Sequence, residues 1–200
     1  MLSRLDEIIY PTRCEVIELA SQRYFYPIYK NGSSSINEYA KQNKCKILLN
    51  QQLSKLDIID VVLRNPTERT ISGIQTFVYN TKRDNPNLDL TTIRWFANSY
   101  QFLNRHYAPQ LSWLINLNRY TNAKLRFYDM SEISNITGKN LSVFKDNSSV
   151  DLNVDYEMFI RLDNLLINLI GKELTFNEVL SYLKQQDKIA FQKLQCIALD

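Results

Sequence analysis

The sequence predicts an α/β fold: a mainly parallel sheet flanked by helices, with a helical C-terminal segment. Three observations carry this reading. Short strand-like stretches recur at Tyr24–Tyr29 (aromatic), Lys44–Leu49, Ile58–Leu63 (β-branched) and Ala123–Tyr128. Stretches with helical spacing separate them. From Asp151 onward the spacing is helical. Strands alternating with helices indicate crossover units and parallel pairing.

Length and composition bound the rest. A chain of 200 residues with 44% hydrophobic content can bury the core of one domain, 1–200. Within it, residues 1–138 read as the α/β core and 151–200 as the helical segment. Residues Lys139–Asn153 are polar and without period, and read as the connection. The net charge of +3 is mild and the basic residues are scattered, so no nucleic-acid partner is expected. Cys14, Cys45 and Cys196 are odd in number, far apart and without C-x-x-C spacing. That argues against a disulfide framework or a zinc site and suits a reducing compartment. No apolar stretch near Met1 is long enough for a leader or an anchor, so a cytoplasmic protein with no membrane partner is expected.

Taken in order, Cys14–Ala20 has helical spacing, and Pro11 interrupts any long helix before it. The aromatic run Tyr24–Tyr29 reads as a buried strand. It leads through Lys30, Asn31, Gly32, Ser33, Ser34 and Ser35 into a helix over Ile36–Lys41. Strand, small-residue loop and helix form an anion-binding geometry. The helix start offers unpaired N–H groups and the positive dipole end. Gly32 permits φ > 0 and close backbone approach to an anion. The serines supply hydroxyl donors and N-caps, and Lys30 a point charge.

The run ending at Leu63 repeats the arrangement. Arg64-Asn65-Pro66 turns into a helix over Thr67–Tyr79 that carries Arg69 and Ser72. Ligands of open α/β sheets bind beyond the carboxyl ends of the strands, so both loops belong on one rim. Further on, Asn80–Asn87 reads as a loop and Leu90–Leu103 as a helix, with Pro109 breaking the chain after His106. Ala123–Tyr128 is a late strand, and Ser131 can cap a short helix after it. Tyr156 to Ile170 recur at helical spacing, with Gly171 as the stop. Thr175 and Glu178 form a capping box before a helix over Asn177–Gln185. Asp187 can cap a third, Lys188–Ala198. This segment is expected to pack against the sheet.

Together the loops resemble those of the sulfotransferases that use 3′-phosphoadenosine 5′-phosphosulfate (PAPS), closest to the carbohydrate branch. Lys30 followed by Gly32 and the serines is similar to that family's 5′-phosphosulfate loop. Arg64 to Gly73 is similar to its 3′-phosphate motif, R-(D/N)-P-x-x-R-x-x-S-(G/A). Arg105-His106-Tyr107-Ala108-Pro109-Gln110 is similar to its H-(W/Y)-x-P-Q element. The resemblance spans about Tyr24 to Glu132. It implies a P-loop-like nucleotide-binding core that takes PAPS and leaves its product PAP, without a metal. It also implies a small-molecule or glycan acceptor, for which the twelve tyrosines offer stacking faces. Oligomeric state has no signature in the sequence.

Sulfuryl transfer is governed by in-line positioning and by neutralising the leaving group. On the resemblance, Lys30 meets the bridging oxygen while Asn31 to Ser35 hold the 5′ end. Arg64 grips the 3′-phosphate through parallel hydrogen bonds, and Ser72 adds one more. His106, the one histidine, is the candidate general base, with an ordinary pKa near ~6.5. Glu38, Asp60, Asp129 and Glu132 are competitors for that role if they face the rim. Arg69 either joins the site or pairs with Glu68 or Asp60. The alternatives are a P-loop-type kinase or NTPase and a non-catalytic domain that binds PAP or another nucleotide. The former needs G-x-x-x-x-G-K-(S/T), whereas here Lys30 precedes Gly32 and no Lys-Ser/Thr pair closes the loop. Asp60, the acid it would use, lies inside a strand run. Retention of Lys30, Arg64 and Ser72 argues against the latter.

Overall fold

The structure, a computed structural model, describes residues 14–20, 23–93, 108–137 and 154–194. Its centre is a six-stranded sheet in the order β3-β1-β2-β4-β5-β6. The strands are β1 (Glu15–Ala20), β2 (Arg23–Tyr26), β3 (Lys46–Leu49), β4 (Ile58–Leu63), β5 (Lys124–Asp129) and β6 (Glu173–Leu174). The helices are α1 (Ser33–Gln42), α2 (Pro66–Asp84), α3 (Gln110–Asn118), α4 (Ile133–Thr137), α5 (Val154–Ile167), α6 (Phe176–Gln186) and α7 (Lys188–Leu194). Residues 90–93 are also helical.

The sheet is mixed rather than mainly parallel. β2, β4 and β5 pair in parallel, but β1 runs antiparallel to both β2 and β3, and β6 antiparallel to β5. The difference starts at Cys14–Ala20, whose helical spacing does not produce a helix. Val16, Ile17 and Leu19 are all buried, because the strand is covered on both faces and so shows no clean alternation. Its closeness in sequence to Arg23 favours the antiparallel hairpin pairing Ile17 with Phe25. β6 is a two-residue edge strand, too short to leave a pattern in sequence.

Two cores sandwich the sheet. On one face Val61, Leu63 and Phe127 pack with Leu111 and Leu114 of α3, Leu162 and Leu166 of α5, Val179 and Leu183 of α6 and Phe191 of α7. The C-terminal helices therefore lie in the main core, as expected of them. On the other face Ile17, Phe25 and Val62 meet Ile36 and Ala40 of α1 and Ile133 of α4. Each fully buried aliphatic side chain contributes roughly 1.5–3 kcal/mol relative to exposure.

Element ends shift for local reasons. β2 stops at Tyr26, since Pro27 has no N–H to give to a ladder. α1 begins at Ser33, so all three serines lie in its first turn. α2 begins with Pro66 at its first position, behind an Asn65 cap that accepts the Glu68 N–H at 3.1 Å. It runs on to Asp84, through much of the span read as a loop. Gln110–Asn118 is a helix that the sequence reading did not assign. The short turn before α4 is capped by Asp129, which accepts the Ser131 N–H at 2.8 Å, so Ser131 is not the cap. Thr175 and Glu178 form the expected capping box of α6, and Asp187 accepts the Ala190 N–H at 3.0 Å at the start of α7.

Candidate functional site

The sheet topology marks one end of the molecule. The chain leaves β2 through α1, on one face, towards β3. It leaves β4 towards β5, on the opposite side of the sheet order, passing through α3 on the other face. β2 and β4 are parallel neighbours. A crevice opens where successive connections diverge, outside the carboxyl ends of the strands, and this is where open α/β sheets bind ligands. Residues 27–32 and 64–65 are the two loops at that point.

The first loop is held from several directions. The Asn31 N–H donates to Ile28 O at 3.1 Å. Lys30 has φ 69° and Gly32 φ 77°, both left-handed. For Lys30 that conformation costs roughly 1–2 kcal/mol. Its carbonyl is fixed by the Arg64 guanidinium, whose Nη1 donates to Lys30 O at 3.1 Å. Arg69, only 1% exposed, donates Nε to Tyr29 O at 3.0 Å and Nη1 to Ala108 O. The Tyr29 ring packs on Trp113 of α3, with centroids 5.2 Å apart. Asn31 is buried and donates to Val62 O at 2.7 Å.

Gly32 is the N-cap of α1, and among the described residues no side chain caps that helix. The expected serine caps are therefore absent. Ile36 donates to Gly32 O at 3.1 Å, the first bond of the helix. The N–H groups of Ser33, Ser34 and Ser35 precede it, and a helix leaves such groups for an external acceptor. Ser33 is buried, Ser34 exposed and Ser35 half-buried. Gly32 has a second reason to be glycine. A Cβ there would sit 2.1 Å from Cδ1 of Ile133, so the close approach is to α4.

Three cations thus converge on this loop. Burial lowers the Lys30 pKa, and repulsion from Arg64 and then Arg69 lowers it further. Burial also lowers that of Arg64, with Glu68 acting in the opposite sense. The Glu68 carboxylate stands 3.8 Å from Arg64 Nε and is itself mostly exposed. Arg64 Nε, buried, has no hydrogen-bond partner among the described residues. The Lys30 ammonium donates to the Thr76 hydroxyl at 2.5 Å, and that hydroxyl donates to Ser72 O at 3.0 Å. Lys30 therefore reaches the Ser72 turn of α2 through Thr76.

Of the residues singled out in sequence, Lys30, Asn31, Gly32, the first turn of α1 and Arg64 come together, and Ser72 lies one link further along α2. His106 lies outside the described residues. Glu68 and Asp60, weighed as partners of Arg69, lie instead against Arg64 and Arg23. Asp60 does not face the rim. It is buried in β4, accepts two bonds from Arg23 at 2.9 and 2.7 Å, and lines a cavity of about 370 Å³ with Lys55, Asp57, Ile58 and Arg126. Those residues belong to the opposite, amino end of β4 and its neighbours. Glu38 is exposed on α1 and accepts from Gln42 at 3.1 Å. Asp129 and Glu132 are engaged with each other's turn, Glu132 accepting the Asp129 N–H at 2.8 Å.

Three residues at this end were given no role from sequence. Thr76 shares a helical face with Arg69 and Ser72, a spacing that was visible. Gln110 closes the H-(W/Y)-x-P-Q element, but its contacts and those of Asp163 were not legible, because their partners come from other elements. Gln110 bonds both loops through its side chain. Asp163, on α5, accepts the N–H groups of Gln110 at 2.6 Å and Leu111 at 2.8 Å. Burial pushes its carboxyl up to about 6, against the pull of those two bonds and of Arg69. No protein-family model, curated protein or solved structure matches this chain.

Proposed function

We propose that this chain is a sulfotransferase on a P-loop-like frame, moving a sulfuryl group from PAPS to a hydroxyl of a small-molecule or glycan acceptor. The observation that carries the proposal is the convergence of Lys30, Arg64 and Arg69 on two loops of neighbouring parallel strands, with a buried Arg64 Nε that makes no hydrogen bond among the described residues and has only the mostly exposed Glu68 carboxylate 3.8 Å away. Cations drawn together and out of water are unfavourable unless an anion joins them. A ligand with separated phosphate groups fits that donor set.

In this reading Lys30 and the first-turn N–H groups of Ser33, Ser34 and Ser35 take the 5′ end. Arg64, with Ser72, takes the 3′-phosphate. PAPS, when bound, supplies the sulfuryl group. The chain's own residues orient it and concentrate positive charge where the leaving phosphate gains negative charge. Lys30 is suited to that role because its ammonium rests on a neutral hydroxyl, Thr76, from which it can be drawn without breaking an ion pair. His106 is assigned to the acceptor side, taking the hydroxyl proton.

The test is release of PAP from PAPS over a panel of sugar and phenol acceptors, with Lys30→Ala as the control. Acceptor-dependent release that collapses in the variant is the expected result. Tight PAP binding with no release over a broad panel would favour a binding domain. Cleavage of ATP in place of PAPS would favour a kinase or NTPase. For the latter, Asp60 is poorly placed as a metal-bound acid, since Arg23 holds it away from the rim.

A further inference from the structure

We infer that Gln110 is a positioning residue that sets the distance between the two anion loops. The inference rests on the PAPS reading above and adds a determinant of how both ends of the ligand are gripped together. Gln110 is completely buried at the first position of α3. Its Oε1 accepts from Arg64 N–H at 3.0 Å and from Asn31 Nδ2 at 2.6 Å. Its Nε2 donates to Arg64 O at 2.9 Å. One side-chain amide therefore ties the main chain at the end of β4 to the loop after β2. Its own backbone is clamped, because Gln110 N–H and Leu111 N–H both donate to the Asp163 carboxylate. A third element, braced by a fourth, thus gauges the gap between the other two.

The arrangement matters for a ligand with two anionic ends. Binding the second end is intramolecular once the first is held, and its contribution depends on the sites standing at the ligand's own span. Removing the Gln110 amide leaves Lys30, Ser33 and Arg64 in place but frees their spacing. Affinity for a bisphosphate then falls, while affinity for either monophosphate hardly changes. A loss of general packing would not discriminate in this way.

The experiment is calorimetric titration of PAP, adenosine 5′-monophosphate and adenosine 3′-monophosphate into wild-type protein, Gln110→Met and Gln110→Glu. Met keeps the length and removes the amide. Glu keeps the acceptor for Arg64 N–H and Asn31 and removes the donor to Arg64 O. For Gln110→Met the expected result is a tenfold or greater loss for PAP with less than threefold for each monophosphate. Gln110→Glu should fall between. Equal losses for all three ligands, or none, would overturn the inference. Amide exchange on the wild-type protein supplies a readout that needs no variant. The Arg64 N–H should be protected and should open together with the Gln110 N–H, and fast independent exchange at Arg64 would also overturn the clasp. Wild-type protein that binds none of the three nucleotides while Arg64 is protected would sink the PAPS reading and leave the clasp standing.

Discussion

At the scale of single residues, the proposed function gives Lys30 and Arg64 different work. On that proposal Lys30 meets an oxygen that becomes strongly charged only as a bond breaks. Lys30→Ala should lower turnover more than it weakens PAP binding, a split visible by comparing single-turnover rates with calorimetric affinities. On the same proposal Arg64 grips a charge that is present throughout. Arg64→Ala should weaken PAP binding by roughly 1.5–3 kcal/mol, the scale of a charge-assisted hydrogen bond. His106→Ala should leave PAP affinity nearly intact and lower turnover by roughly 10²- to 10⁴-fold, with loss of the acid limb of the pH–rate profile. Near-full turnover in that variant would remove the histidine from the chemistry. Lys30 and Arg64 were legible because each follows a strand run at its carboxyl end, where chain geometry leaves few choices. The burial of Arg69 was not. It depends on the carbonyls of Tyr29 and Ala108, which only the folded chain brings to its guanidinium.

At the scale of elements, the joint between the first loop and α1 is the most constrained. Gly32→Ala meets two penalties. A left-handed φ costs roughly 1–2 kcal/mol for a residue with a side chain. Forcing a methyl against Ile133 adds about 1–3 kcal/mol of overpacking. Urea unfolding should register a loss of roughly 2–5 kcal/mol on those terms, and Ile133→Ala should cost less in the Gly32→Ala background than in wild type. A Gly32→Ala protein as stable as wild type would contradict the packing described for α1 and α4. The strand β4 was legible because β-branched Ile58, Ile59, Val61 and Val62 fill most of it, and β5 because Leu125 and Phe127 alternate with Lys124 and Arg126. β1 was not, because a strand covered on both faces lacks the period that separates strand from helix. The cap of α1 was misread for a related reason. Three consecutive serines suggest a cap, yet the left-handed turn assigns that place to Gly32.

At the scale of the whole molecule, Asp163 ties the C-terminal helices to the site and makes stability depend on pH. Its carboxyl titrates near 6 in the folded chain, above its ordinary 3.8. Between those values the folded chain holds a proton that the unfolded chain has released. Stability therefore falls as pH rises through this window, then levels off above it. Asp163→Asn cannot ionise and loses that slope. Relative to the variant, wild type should be better placed at pH 4.5 than at pH 7.5, by an amount on the order of 2–3 kcal/mol at most. A pH-independent difference in urea midpoints would contradict a buried, proton-holding Asp163. The overall α/β class was legible from alternating runs, but the antiparallel flanks of the sheet were not, since pairing direction is settled by which strands meet. The shared rim of the two candidate loops was legible from sequence, and the parallel pairing of β2 and β4 agrees with it. The central claim is that two loops there jointly hold a nucleotide with both a 3′ and a 5′ anion. Calorimetry of PAP against adenosine 5′-monophosphate tests it most directly. The account predicts clear PAP binding, much weaker binding of the monophosphate, and loss of that preference in Arg64→Ala. Equal affinity of wild-type protein for the two ligands would contradict it.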